Sequence, residues 1–227
     1  MSEAVPQRSR ALPARRVLAD EVYDAVVAMI MDRDIEPGER VSIDRLAREL
    51  NVSPTPVREA LARIESEGLV LKQPLKGYTA TPVLDEDGLR QLFEMRGLIE
   101  PFAAARAAIA IAPEQAERLR EIVATMGEDI EEAALERFEG YRDFVLLDAS
   151  FHRIIAEASG NLLLADTLHR LRPHLHQYRV YLEHHAIAET VEEHLAICQA
   201  VVAGDPDGAS AAMQEHLDRS YVRIAAG

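Results

Sequence analysis

The chain has 227 residues and a formal net charge of −14, with 48% hydrophobic residues, few aromatics and a single cysteine, Cys198. That length allows one or two domains with their own cores, and the composition fits a mainly helical protein. A lone cysteine excludes an internal disulfide, no apolar run is long enough to cross a membrane, and Met1 to Arg16 lacks the apolar segment of a secretory signal. A cytoplasmic protein is therefore expected.

The acidity is unevenly spread. Residues 1–84 carry 12 Lys+Arg against 13 Asp+Glu, whereas residues 85–227 carry 13 against 26. The second part is thus the wrong partner for a phosphate backbone, and the first part is not excluded. Residues 1–16, with Arg8, Arg10, Arg15 and Arg16, read as a flexible basic tail.

Leu18, Val22, Val26 and Ile30 mark a first helix, from about Val17 to Arg33, and Glu36-Pro37-Gly38-Glu39 reads as a turn. Ile43, Leu46, Ala47 and Leu50 form a short apolar-periodic segment that ends at Asn51, a residue suited to a left-handed turn. Ser53 then has the position of an N-cap, with Pro54 at the first helical position and Pro56 still within the first turn. Val57, Ala60, Leu61 and Ile64 make one buried stripe, leaving Thr55 and Arg58 on the opposite face. Two short helices, a tight turn and a polar outer face describe a helix-turn-helix. After Gly68, Leu69-Val70-Leu71 and Tyr78-Thr79-Ala80-Thr81 read as a two-stranded wing around the basic turn Lys72 to Gly77.

From Asp85 the texture changes to helices. The spacing predicts one from Asp85 to Ile109 and another from Pro113 to about Met126. A third runs from about Glu136 to Ala158, and a fourth starts at Asn161 and bends at Pro173. Two more span about Ala188–Ala203 and Asp207–Ile224. The domain boundaries expected are thus 1–16 for the tail, 17–82 for a winged helix-turn-helix, and 85–227 for an antiparallel helical bundle.

Four polar residues interrupt apolar stripes in that bundle: Asp148 and His152, one turn apart, then His194 and His216. A buried ionised Asp is costly unless it is paired or metal-bound. One carboxylate with three imidazoles suits a divalent transition metal such as Zn²⁺, Ni²⁺ or Mn²⁺, with positions left open for a ligand. The alternative is a set of hydrogen-bonded core histidines with a local Asp148–His152 pair. His169, His174, His176, His184 and His185 match no motif and read as surface residues, with at most one of them supporting a ligand from outside. Cys198, one turn past His194, reads as a small buried hydrophobe rather than a soft ligand. Arg96 also falls on an apolar stripe, where an acidic neighbour would neutralise it.

Two groups of motifs carry a family resemblance. Ser53-Pro54-Thr55-Pro56-Val57-Arg58-Glu59-Ala60-Leu61, followed by Arg63-Ile64-Glu65 and Glu67-Gly68-Leu69-Val70, resembles the winged helix of GntR-type bacterial transcription regulators. Asp148-Ala149-Ser150-Phe151-His152, Ser159-Gly160-Asn161, Glu193-His194 and His216-Leu217 resemble the all-helical ligand-binding domain, FCD, of the FadR subfamily. The resemblance implies a homodimer reading operator DNA, with Arg45, Ser53, Thr55, Arg58, Lys76 and Gly77 at the DNA. Many relatives carry Arg where this chain has Pro54, which shifts weight onto Arg58. It further implies a metal held by Asp148, His152, His194 and His216, and a small carboxylate effector held by Arg96. Two other function classes are carried forward: a metal-dependent helical-bundle enzyme, and a DNA-binding dimer without effector.

Overall fold

The computed structural model describes residues 14–74, 77–127, 138–180 and 187–225. The chain divides into two compact units, residues 1–81 and 82–227.

The first unit contains α1 (Ala14–Met31), β1 (Arg40–Val41), α2 (Ile43–Glu49), α3 (Pro54–Ser66), β2 (Val70–Gln73) and β3 (Gly77–Ala80). Helix α2 begins where the Ser42 side chain accepts a hydrogen bond from the Arg45 amide. It gives way to α3 through Asn51, which is left-handed at φ 53°. Pro54 opens α3 at a position where a missing N–H costs nothing. Val57, Ala60, Leu61 and Ile64 are all buried and pack with Val22, Val26 and Ile30 of α1. Each of the Val, Leu and Ile side chains contributes roughly 1.5–3 kcal/mol on burial, so Ile64→Ala would loosen this core. Gly68, at φ 79°, turns the chain from α3 into the wing without the strain a side chain would bring.

The wing differs from the two-stranded expectation. Its sheet has three antiparallel strands in the order β1-β3-β2, because Arg40 and Val41 pair with Thr79 and Tyr78. A two-residue strand has no periodicity of its own, and only its partner defines it. Leu75 and Lys76, at the wing turn, lie outside the described residues, as do residues 1–13 of the expected tail.

Among its described residues the second unit is entirely helical: α4 (Glu86–Ala110), α5 (Pro113–Met126), α6 (Phe138–Ala158), α7 (Leu162–Leu171), α8 (Pro173–Val180), α9 (Ile187–Ala203) and α10 (Pro206–Ala225). Asp85 caps α4 by accepting from the Gly88 amide, and Asn161 caps α7 by accepting from Leu164. The expected bend at Pro173 is a full break. Arg172 takes a left-handed conformation (φ 48°, ψ 50°), and a new helix starts at the proline. Small residues on α4 (Ala103, Ala104, Ala107) let it lie close to α10, where Ala209, Met213 and Leu217 complete the same core. Cys198 belongs to that core, and burial pushes its thiol up.

Candidate functional site

The second unit buries charge. Asp148 and His152 project from one face of α6, His194 from α9 and His216 from α10, and all four are at most 2% exposed. His194 Nε2 lies 3.2 Å from His152 Nε2 and 3.2 Å from Asp148 Oδ1. His152 Nε2 is 3.8 Å from the same oxygen. Ligand atoms of His152, His194 and His216 lie within 4.8 Å of one another. All four residues expected from the sequence therefore meet in one place.

The atoms facing away explain why. His152 Nδ1 meets the Glu100 carboxylate, whose other oxygen is 2.5 Å from Arg96 Nε. His216 Nδ1 is 2.8 Å from Glu193 Oε2, and Arg223 grips Glu193 with both Nη groups, at 2.7 and 2.9 Å. A carboxylate on Nδ1 selects the tautomer that carries its hydrogen there, so the Nε2 lone pair turns to the centre. His194 is the exception: among the described residues its Nδ1 has no partner, and its ring lies against Phe151 at 4.3 Å between centroids.

The protonation states suit a cation. Burial pushes His152 down to about 3 against the pull of Glu100, and pushes His216 down to about 4 against Glu193, so both imidazoles are neutral near pH 7. Burial would raise Asp148, but His174 and His194 outweigh it and hold the carboxyl well below its usual range. Burial likewise opposes ionisation of Glu100 and Glu193. Arg96 and His152 keep the first charged, and Arg223 and His216 hold the second at about 2. Three imidazole nitrogens and one carboxylate oxygen make a donor set that fits a divalent transition metal.

Three members of this cluster were given no role at the site from the sequence. Glu100 and Glu193 escaped because their partners are distant in the chain, although Glu100 stands four residues after Arg96, on the same face. On α9 the buried face runs through Glu193, His194, Ile197, Cys198 and Val201, while Leu195 is 45% exposed. His174 was expected at the surface. It is instead buried, with Nδ1 2.6 Å from Asp148 Oδ2, because the break at Pro173 turns the start of α8 toward α6. His169 is exposed and His176 half-buried, while His184 and His185 lie outside the described residues. Arg96 is buried and carries the salt bridge to an acidic neighbour that the sequence allowed.

In the first unit, Arg58 is exposed on the outer face of α3 and Thr55 is half-buried. Ser53 occupies the N-cap position without a side-chain cap hydrogen bond. Arg45 is exposed on α2, with Nη1 2.8 Å from Glu39 and Nε 3.6 Å from Glu49. Gly77 opens β3 at φ 85°. Lys76 is outside the described residues.

Comparison with known proteins decides the family. Residues 18–79 match the model for bacterial regulatory proteins of the gntR family, and residues 91–219 match the FCD domain. The chain belongs to the GntR family. It is a DNA-binding transcription regulator with an FCD effector-binding domain. One relative, named for regulation of the L-lactate dehydrogenase operon in Escherichia coli (strain K12), is 33% identical over 91% of this chain and 85% of its own length. The HTH-type transcriptional repressor NanR of Enterobacter sp. (strain 638) is 28% identical over 96% of this chain and 89% of its own. E. coli McbR/YncC shares the fold with a TM-score of 0.65 at 22% identity, covering 91% of this chain and 96% of that one. These relatives are regulators, which sets aside the metalloenzyme alternative. No described helix is long and apolar enough to cross a membrane.

Proposed function

We propose that this GntR-family regulator responds to a small carboxylate through a divalent metal held by Asp148, His152, His194 and His216. The observation that carries the reading is the convergence of three imidazoles and Asp148 Oδ1, with His152 and His216 turned inward by Glu100 and Glu193. The ion would be Zn²⁺, Ni²⁺ or Mn²⁺. It would supply a Lewis-acidic position for one end of the effector. Arg96, whose Nε serves Glu100, would pair with the other end through its guanidinium.

The regulator works as a homodimer that presents two recognition helices to a palindromic operator. Arg58, Ser53 and Thr55 contact DNA from the start of α3, Arg45 from α2, and Lys76 and Gly77 from the wing. Effector binding favours one arrangement of the two recognition helices, and by reciprocity operator DNA shifts effector affinity by the same factor.

Three measurements test this. Protein purified without chelator should carry stoichiometric metal and weigh as a dimer by native mass spectrometry. Chelator, His194→Ala and His216→Ala should each lower the melting temperature. A metal at a thousand times its Kd stabilises by about 4 kcal/mol. A metal-free protein with an unmoved melting temperature would reduce the four residues to a polar core. For the effector, L-lactate is the first ligand to titrate, given the name of one relative. Arg96→Lys keeps a charge for Glu100 but removes the planar fork, so it should weaken effector binding with the metal retained. Equal binding to this variant would remove Arg96 from the effector site.

A further inference from the structure

The four inward donors are not held alike. Glu100 fixes His152 from α4, and Glu193 fixes His216 from α9. Asp148 is the one carboxylate among the donors, and its orientation decides whether one oxygen or two face the centre. Its Oδ1 points toward His194 and His152, while its Oδ2 is engaged by His174 Nδ1 at 2.6 Å.

We propose that His174 is a positioning residue of the metal centre, which pins the outer oxygen of Asp148 so that Oδ1 alone is offered inward. The geometry comes from the joint between α7 and α8. Arg172 is left-handed, Pro173 restarts the helix, and His174 follows as the second residue of α8. Tyr178, one turn further on the same face, is also buried and bears on the same carboxylate. Helix α8 thus carries two groups to Asp148. Outer partners of this kind fix ligand orientation, and their loss typically costs 10–100-fold in metal affinity. The inference rests on the metal reading given above.

The test uses the full chain stripped of metal by chelator and titrated with Co²⁺, which is followed by calorimetry and by visible absorption. His174→Ala should bind Co²⁺ with affinity lower by about 10–100-fold, and the absorption bands at saturation should stay in place because no ligand is lost. His174→Asn should recover most of the affinity, since its side-chain amide donates from nearly the position of Nδ1. His174→Gln places its amide one bond further out and should not recover it. Circular dichroism of the metal-free variants checks the fold. If His174→Ala does not fold, the difference between Asn and Gln carries the same comparison. Parent-like affinity in His174→Ala, or equal affinity in the Asn and Gln variants, would overturn the inference and leave the metal reading standing. Shifted bands at saturation in every variant would make His174 a direct ligand and overturn its positioning role. A parent protein that binds no Co²⁺ would overturn the metal reading itself, and the inference with it.

Discussion

The two units of this regulator place charge in opposite ways. Among the described residues, every buried polar or charged side chain lies in the second unit: Arg96, Glu100, Asp148, His152, Ser159, His174, Arg179, Glu193, His194, His216 and Ser220. The first unit fills its core with Val, Ile, Leu and Ala and keeps Arg45, Arg48, Arg58 and Arg63 at the surface. The difference follows from what each unit meets. A DNA duplex is a large polyanion and is met at a surface, in water, where cations lose little hydration by waiting. A small ion or metabolite must be surrounded, and its partners have to be desolvated in advance. The folding of the helical unit therefore carries a cost that its inward charges offset only as a complete set.

The largest expected effect tests that last statement. Glu100→Ala leaves Arg96 and His152 without their shared carboxylate at 1% exposure. Breaking a buried pair from one side costs about 3–5 kcal/mol. Urea unfolding followed by helicity should show this loss in the metal-free protein, and an unchanged midpoint would mean the charges are incidental to the fold. A surface cation of the first unit should behave oppositely. Arg58→Ala should leave stability almost untouched yet weaken operator binding roughly tenfold or more, as losing a bidentate base contact costs about 1–3 kcal/mol. Unchanged affinity in a titration at fixed salt would take Arg58 out of the interface.

The smallest effect sharpens the contrast from the other side. Tyr23 on α1 donates to Glu67 beside the end of α3, and the Arg63 guanidinium lies 3.7 Å above its ring. Burial first, then the Glu67 hydrogen bond, raises the phenol above its ordinary value. A folded pKa above the unfolded one, about 10, gives stability that is complete below that pH and lost as pH rises past it. Tyr23→Phe should cost about 1 kcal/mol near neutral pH. It should also flatten the alkaline loss of the first unit. An alkaline limb identical to that of the parent would show that Tyr23 does not link α1 to α3 in this way.

How much of this was legible in the sequence depends on distance along the chain. The helix-turn-helix was, because Asn51, Ser53, Pro54 and the Val57–Ile64 stripe are local signals. The Asp148–His152 pair was too, one turn apart on one helix. The residues that orient the ligands were not. His152 meets Glu100 across 52 residues, Asp148 meets His174 across 26, and His216 meets Glu193 across 23. Nothing in local spacing separates such an acid from its many exposed neighbours in a chain with 39 Asp+Glu. The strand at Arg40–Val41 was equally silent, since its identity is conferred by β3.

Pro54 and Pro56 have a consequence for the thermodynamics of DNA association. Both stand in the first turn of α3, and the ring of Pro56 is buried. Each proline fixes φ near −65° and narrows the conformations open to the unfolded chain. The turn that carries Thr55 and Arg58 is therefore ordered during folding rather than on the operator. In a helix that frays at its start, contact with DNA would have to supply the ordering entropy, and part of the favourable enthalpy would be cancelled. Here the backbone beneath Arg58 is already set when the duplex arrives, and the entropy left to lose at that point is mainly that of the arginine side chain.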